Sequence, residues 1–294
     1  MKKAFPVLTI LGISILLLYR PDAAAAAVRE GLQLCAGTVI PSLFPFFVVI
    51  SLLLQLGLAD YLQGVCGPVM GPLFHMRGVC ALPLLAGLLG GYPTGARTAA
   101  ELYRQGRLSR QEAELLLGFC DNCGPAFLLS YVGAGVLGSP QAGVWLFGIH
   151  TVSALLAGML LCRVWRDRGP GLLGSSLPVK VLTFPEALTS SVSSAITSTL
   201  NICAFVVLFR TLAALTPLPG GLLGVLEMVT GIAALEPGRA GWIAAAAVTG
   251  WGGLSVHCQA MSVAEGLSFR WHWTGKALQA GISAGLAAVL TWLF

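Results

Sequence analysis

Charged residues are scarce in this 294-residue chain. Lysine, arginine, aspartate and glutamate together make up 10% of it, whereas 56% of the residues are hydrophobic. Soluble domains carry about 25% charged residues, and a water-soluble fold of this length would lack the polar side chains to cover its surface. The composition excludes an ordinary soluble protein and predicts an all-α polytopic membrane protein.

Familiar catalytic and nucleic-acid-binding patterns are also missing. The sequence contains no Ser/His/Asp set, zinc motif or nucleotide-binding loop, and Cys120 and Cys123 form an isolated CxxC. Despite a net charge of +5, no basic face interleaved with aromatic residues exists outside the loops. We therefore expect no enzyme activity, no cofactor, no metal site and no nucleic-acid partner. Most of the eight cysteines are interpreted as small buried hydrophobic residues.

The N-terminal segment has two interpretations. Two lysines, a short apolar run at 5–19 and alanines at 23–27 are compatible with a cleaved signal peptide. The same run also fits a first membrane helix whose flanking side chains reach the interface. We prefer the helix, with residues 1–33 forming an N-terminal membrane helix and a short outer segment.

Four apolar segments are interrupted by glycine, proline or polar residues. They contain GGYPTGAR, CDNCGP, LEMVTG and GGLSVHCQ. Helix-breaking residues are tolerated in a bilayer where the freed backbone groups face protein or a cavity. We expect re-entrant hairpins and broken helices at these places. Between the first two, Ser109 and Glu112 have the spacing of a capping box that starts a helix.

The same order of elements occurs twice along the chain. A span, an interrupted hairpin, a broken helix and a second span are predicted in residues 34–165 and again in 183–294, with a cytoplasmic linker at 166–182. If most lysines and arginines lie inside, the loops at 104–111, 163–182 and 268–276 share the cytoplasmic side. Lys276 falls in the last of these loops. The two repeats then have inverted topology.

The interrupted segments are the candidate substrate site. Inverted repeats with broken helices bind substrate near the middle of the membrane, where unwound backbone and helix N-termini face a cavity. The candidate binding residues are Gly91, Pro93, Thr94, Gly95, Arg97, Asp121, Asn122, Gly124, Glu227, Thr230, Gly253, Ser255, His257 and Gln259.

Each prominent polar residue has an alternative role. Asn122 lines the cavity or caps a helix, and Asp121 contacts substrate or neutralises an arginine. Arg97 pairs with a carboxylate or lies at the cytoplasmic mouth. Glu227 has a coupling or a structural polar role, since intramembrane carboxylates are costly to bury. His257 lines the cavity or is a neutral histidine bonded to a neighbouring carbonyl.

Two expectations concern the histidines. Because His257 and Gln259 are two residues apart, they face one cavity only if the backbone there is extended or unwound. His75, His150 and His272 are isolated in the sequence, and we expect packing or interfacial roles for them.

In this order and spacing, the four motifs resemble the YlbJ/SpoVV group of sporulation integral membrane proteins, within the larger set that carries the nucleoside-recognition Gate domain. The resemblance spans residues 35–294. It implies a permease for a small organic anion, with dipicolinic acid as the favoured substrate and the outer forespore membrane as the location. A homo-oligomer and other sporulation membrane proteins are left open as partners.

Two alternatives to anion transport stay open. Gate relatives include concentrative nucleoside transporters, so the resemblance also permits a nucleoside-type transporter. The second alternative is a structural or regulatory membrane protein of spore assembly. A solvent-accessible central polar cavity lined by all four motifs would favour transport, whereas a closed, fully packed centre would favour the structural role.

Overall fold

The computed structural model describes residues 4–166, 182–216, 218 and 220–293. Throughout these ranges the regular structure is helical, which confirms the all-α class. Two of the described helices, Pro140–Trp165 and Phe184–Leu215, are each long and apolar enough to cross a membrane. Two bent pairs, Ile10–Tyr19 with Pro21–Gly37 and Tyr61–Phe74 with Gly78–Gly90, raise that number to four if each pair is one span.

The first eight helices precede the predicted linker, of which residues 167–181 lie outside the described ranges. Their bounds are α1 Ala4–Tyr19, α2 Pro21–Leu34, α3 Ile40–Gln55, α4 Leu58–Phe74, α5 Ala81–Gly90, α6 Thr94–Arg104, α7 Arg110–Leu116 and α8 Pro140–Arg166. A π-helical stretch, Cys35–Val39, joins α2 to α3, and a second one, Phe127–Val136, precedes α8.

Six helices follow the linker. They are α9 Phe184–Leu215, α10 Gly220–Leu226, α11 Met228–Ala233, α12 Arg239–Trp251, α13 Gly253–Val263 and α14 Arg270–Leu293. A long helix, two short helices, two helices separated at Gly252 and a second long helix thus follow one another after the linker. The assignment of the two halves as inverted repeats stays a prediction.

The four interrupted segments meet in the middle of the bundle. Gly91 ends α5 with a positive φ of 81°, and a β-carbon there would lie 3.1 Å from the Gly124 nitrogen of the second interruption. Gly252 separates α12 from α13, and a β-carbon there would lie 3.3 Å from Tyr92 Cζ in the first interruption. Gly253 packs against the α10–α11 junction. Helix breaks far apart in sequence therefore form one centre.

Hydrogen bonds at the two ends of the bundle agree with the predicted positions of the loops. Arg110 donates to the Gly266 carbonyl at 2.9 Å, which joins the α6–α7 loop to the α13–α14 loop. At the other end, Arg239 donates to the Thr291 carbonyl at 2.7 Å, which joins the start of α12 to the end of α14. Two of the three loops predicted to be cytoplasmic thus share an end, opposite the C-terminal part of α14.

A charged network fixes the loop before α7. Ser109 and Glu112 form the predicted capping box, in which Ser109 Oγ accepts from the Glu112 nitrogen at 3.2 Å. The Glu112 carboxylate also binds Arg77 through two hydrogen bonds of 2.7 and 2.8 Å. Because Arg77 lies between α4 and α5, this bidentate pair joins that bend to α7.

Two parts of the structure differ from the sequence-based prediction. Residues 58–74, which the sequence left unassigned, form α4 with Pro68 and Pro72 inside the helix. Lys276, which the sequence placed in a cytoplasmic loop, lies within α14 and is 0% exposed. The second difference changes the description of the site, because Lys276 occupies its centre.

Candidate functional site

Lys276 organises a buried group of polar residues, here called the central cluster, that consists of Tyr92, Asp121, Asn122, His150, Lys276 and Gln279. Its ammonium donates to Tyr92 Oη at 3.1 Å, to Gln279 Oε1 at 2.7 Å and to the Asp121 backbone carbonyl. A lysine ammonium has three N–H donors. All three therefore have acceptors supplied by the protein.

The amide groups of the central cluster continue this network. Since Gln279 Oε1 accepts from Lys276, its Nε2 is the donor to Asn122 Oδ1 at 3.0 Å. Asn122 Nδ2 in turn donates to the Phe119 carbonyl at 2.8 Å. His150 Nε2 accepts from the Cys123 backbone nitrogen at 2.9 Å. Both ends of the Asn122 amide are thus bonded within the protein, so it joins the second interruption to α14.

The Asp121 carboxylate differs from its neighbours in the central cluster. The side chain is 0% exposed, and neither carboxylate oxygen has a hydrogen-bond partner among the described residues. The backbone N–H of Ala96, in the first turn of α6, faces the carboxylate without a hydrogen bond of normal geometry. Lys276 interacts with it electrostatically but bonds to the Asp121 carbonyl. Asp121 therefore retains unused acceptor capacity beside a buried cation.

The histidines behave differently from the prediction. His272 Nδ1 lies 3.0 Å from the Leu117 carbonyl, so this nitrogen carries the proton. With both rings neutral, His272 Nε2 accepts from His257 Nδ1 at 2.8 Å. His257 Nε2 is then a buried acceptor without a partner in the described part of the chain. His272, which is isolated in the sequence and was expected to have a packing or interfacial role, thus pairs with His257.

Helix α13 separates two of the predicted binding residues. It is helical from Gly253 onward, so Ser255 and Gln259 lie on one face, where Gln259 Nε2 donates to Ser255 Oγ at 3.2 Å. His257 points away from that face, and its ring centroid lies 4.5 Å from those of Trp251 and Trp273. The condition for His257 and Gln259 to share a cavity is therefore not met.

Glu227 is the N-cap of α11. Its carboxylate accepts from the Val229 nitrogen at 3.0 Å, the Thr230 nitrogen at 2.7 Å and the Thr230 hydroxyl at 2.6 Å. A carboxylate at this position satisfies free backbone donors and interacts favourably with the helix dipole. These contacts explain how an acidic residue is accommodated in an apolar run, and they favour the structural role.

A polar cavity of about 460 Å³, here called the lateral cavity, lies between α6, α9 and α13. Arg97 is only 4% exposed at its wall, where it donates to Ser194 Oγ at 2.7 Å and to the Phe47 carbonyl at 3.3 Å. The other lining residues are largely polar; they include Glu101, Arg104, Thr197, Ser198 and Asn201.

The first turn of α6 separates the lateral cavity from the central cluster. Gly95 packs against the Cys120 carbonyl, and Ala96 faces Asp121, whereas Arg97 lines the cavity. Among the described residues that line this cavity, Arg97 is the one member of the predicted site. The predicted solvent-accessible central cavity is not seen among the described residues: the breaks pack against one another, and Asn122, Ser255 and His257 are each at most 1% exposed.

The remaining candidates are turn and packing residues. Pro93 follows Tyr92 through a cis peptide bond, and Thr94 begins α6 with a buried hydroxyl that has no partner among the described residues. The central position of Lys276 and Gln279 could have been found in the sequence, because Lys276, Gln279 and Ser283 have helical spacing. Ser283 Oγ donates to Ser153 Oγ on α8 at 2.7 Å.

Helix breaks that meet around a buried lysine, beside a polar cavity, define this chain as an all-α polytopic membrane protein. The chain belongs to the Gate family, described as "Nucleoside recognition", whose model matches residues 36–215. This match begins in the π-helical stretch before α3 and ends with α9.

One curated relative is also similar to part of the chain. Over 141 residues the sequence is 32% identical to the "Sporulation integral membrane protein YlbJ" of Bacillus subtilis (strain 168). The match covers 48% of this chain and 35% of that protein. The aligned part thus spans about a third of the relative's length. No solved structure matches the chain.

Proposed function

We propose that this protein is a permease that moves a small organic anion across a membrane during sporulation. The lateral cavity is the observation that carries the proposal. Its volume of about 460 Å³ lies within the range of roughly 300–1,000 Å³ that is usual for small-molecule sites. Two arginines, Arg97 and Arg104, and one carboxylate, Glu101, line it, so these side chains carry net positive charge.

Arg97 supports an anionic ligand. A guanidinium has five N–H donors, and the two acceptors that Arg97 contacts, Ser194 Oγ and the Phe47 carbonyl, are both neutral. Burial of a charge is costly unless a counter-charge and hydrogen bonds compensate it. Glu101, one turn further along α6, interacts electrostatically with Arg97. An anion in the cavity would supply a counter-charge bonded directly to the guanidinium.

Polar side chains on helix α9 are evidence that the lateral cavity is filled with water. Thr197 and Asn201 are exposed on one face of this long apolar helix. Polar side chains in membrane segments usually face the protein interior or a water-filled cavity, and both residues line the lateral cavity. The cavity thus supplies an aqueous environment beside the centre where the breaks meet.

Dipicolinate is the substrate we favour. It has two carboxylates on a flat aromatic ring, and the similarity to a relative named for sporulation supports a role in that process. Paired hydrogen-bond donors of arginine suit carboxylates. By resemblance, the membrane is the outer forespore membrane. The basic end around Arg104 and Arg110 is assigned to the cytoplasmic side by the positive-inside rule.

Two other functions have specific support. The family description, nucleoside recognition, favours a nucleoside as ligand. The closed centre favours a structural or regulatory role in spore assembly, since the breaks pack together without a central cavity in the described residues. A permease that alternates between closed and open states also passes through a closed centre.

Uptake by the purified full-length protein in vesicles tests the proposal. We expect labelled dipicolinate to enter in a saturable manner, and unlabelled uridine to compete poorly. Arg97→Gln should lower dipicolinate affinity about tenfold or more, because a hydrogen bond to a charged group contributes about 1.5–3 kcal/mol. Arg270→Gln, which changes an exposed arginine at the start of α14, is the matched control and should leave affinity unchanged.

Three results would change the assignment. If the vesicles took up uridine but not dipicolinate, the assigned substrate would change and the assignment as a permease would stand. Uptake of neither compound would favour the structural alternative. Equal affinity for dipicolinate in Arg97→Gln and wild-type protein would remove Arg97 and the lateral cavity from the proposal.

A further inference from the structure

Asp121 is the feature of the centre that transport of an anion alone does not explain. Its carboxylate oxygens are buried without partners in the described residues, while every N–H of the neighbouring Lys276 ammonium has an acceptor. An ionised carboxylate that accepts no hydrogen bond of normal geometry loses its hydration without adequate compensation. The site therefore suits a carboxyl group that takes up and releases a proton.

The charge of the centre depends on that proton. With Asp121 ionised and Lys276 protonated, the two side chains sum to zero. When a proton from water binds one Asp121 oxygen, the pair carries a charge of +1. An anion nearby then restores neutrality, so the uptake of a proton and the binding of an anion favour each other.

The first turn of α6 connects this change of charge to the lateral cavity. Ala96 faces the Asp121 carboxylate, and the next residue, Arg97, lines the cavity. Cys120 packs so closely against Gly95 that no side chain fits there. A change of charge at Asp121 therefore acts directly on the backbone that positions Arg97.

We propose that the Asp121 carboxyl is the proton-binding site that couples movement of the organic anion to a proton gradient. The inference rests on the proposed permease function. Proton and anion enter together, and the carboxyl returns its proton to water on the other side of the membrane. Lys276 holds the compensating charge and is a positioning residue.

Two other ionisable groups near Asp121 already make hydrogen bonds, Tyr92 through its hydroxyl and His150 through Nε2. Tyr92 Oη donates to the Thr249 carbonyl and accepts from Lys276, so its proton is held. The ionisable groups facing the segment are Lys276 from α14, Tyr92 from the α5–α6 turn, His150 from α8, and the thiols of Cys120 and Cys123 beside Asp121.

A proton fits this position better than a metal cation. Lys276 already places a positive charge on the Asp121 carbonyl, and a second cation there would be repelled. The described residues contain no group of three histidine, cysteine or acidic side chains arranged to hold a metal ion. A proton adds to one oxygen and needs no such ligand shell.

Vesicles with an acidic exterior and a pH-sensitive dye inside provide the test. In wild-type protein, dipicolinate uptake should acidify the interior. For each proton moved with an anion, a difference of about one pH unit should maintain about a tenfold higher dipicolinate concentration inside the vesicles. A protonophore should abolish that accumulation. A sodium gradient without a pH gradient should give none.

Asp121→Asn separates coupling from transport, because an amide resembles the protonated carboxyl but cannot release a proton. We expect exchange of internal for external anion to persist, while accumulation driven by the pH gradient is lost. Glu265→Gln, at an exposed loop position, is the matched control and should retain both activities.

Several outcomes would overturn the inference. Accumulation by Asp121→Asn equal to wild-type, uptake by wild-type protein without proton movement, or accumulation driven by sodium would each do so. If Asp121→Asn does not fold, the inference can be tested with wild-type protein in weakly buffered detergent. Adding dipicolinate must then raise the pH of the solution, because the protein takes up protons as it binds the anion. Wild-type protein that neither takes up nor exchanges the anion would instead reject the proposed function itself.

Discussion

Polar side chains in the central cluster and in the lateral cavity differ in how fully the protein satisfies their hydrogen bonds. In the central cluster, Lys276, Gln279 and Asn122 bond to one another and to backbone carbonyls. In the lateral cavity, Arg97 has two neutral acceptors, and Asn201 is exposed. Groups that satisfy one another hold helices together, whereas groups that face space remain available to a ligand. Stability and binding should therefore depend on different residues.

Lys276→Met is the change with the largest expected effect. It removes a donor shared by Tyr92 Oη, Gln279 Oε1 and the Asp121 carbonyl. Removal of one partner from a buried charged network costs about 3–5 kcal/mol. We expect a correspondingly lower free energy of unfolding, measured by thermal or denaturant unfolding of the purified protein in detergent.

Two further variants sharpen that result. Arg270→Gln changes an exposed cation on the same helix and should alter unfolding by less than about 0.5 kcal/mol. Adding Asp121→Asn to Lys276→Met removes the uncompensated carboxylate and should restore part of the loss. A Lys276→Met protein as stable as wild-type would show that the lysine network does not hold the centre.

The chain has two asparagines, one in each region. Asn122→Ala removes bonds to Gln279 and to the Phe119 carbonyl, so the free energy of unfolding should fall by about 1–3 kcal/mol. We also expect it to abolish uptake driven by the pH gradient, because Asn122 follows Asp121 in the second interruption. Vesicle uptake and membrane abundance should be measured on the same preparations.

Asn201→Ala is the matched change in the lateral cavity. The Asn201 side chain is exposed, so its removal should leave the free energy of unfolding within about 0.5 kcal/mol of wild-type. The two alanine variants thus compare the regions directly. Normal uptake by Asn122→Ala would withdraw that residue from the site, and equal destabilisation by both variants would contradict the distinction between the regions.

The helix breaks were predictable from sequence because glycine and proline act locally. Gly91 and Gly252 adopt positive φ angles at the expected interruptions, where residues with a β-carbon are strained. Helix α4 was not predicted, because Pro68 and Pro72 favour a break on local grounds, yet both lie inside the helix. Here tertiary packing outweighs the local preference of proline.

The partners within the site were not predictable in the same way. Lys276 meets Tyr92 and Asp121 across 184 and 155 residues of sequence, so no local pattern specifies those bonds. A rule that places lysines in cytoplasmic loops assigned Lys276 to the wrong environment. Arg97 was selected from the sequence as a candidate, but its partner Ser194, beyond the linker, was not.

Thr197→Val should have the smallest effect on dipicolinate affinity, and it tests the contribution of a single hydroxyl in the lateral cavity. Valine keeps the shape of threonine and removes the hydroxyl, which donates to the Ser193 carbonyl at 3.2 Å and lines the lateral cavity as an acceptor. Loss of one neutral hydrogen bond costs about 0.5–1.5 kcal/mol, so dipicolinate affinity should fall about two- to tenfold with little change in unfolding.

Thr211→Val provides the matched control on the same helix. Thr211 makes the same kind of bond, to the Val207 carbonyl at 2.8 Å, but it is buried and lies outside the residues that line the lateral cavity. Because its hydroxyl faces protein, this variant should change unfolding and leave dipicolinate affinity at the wild-type value. The reverse pattern, with affinity lost in Thr211→Val and kept in Thr197→Val, would place the ligand elsewhere along α9.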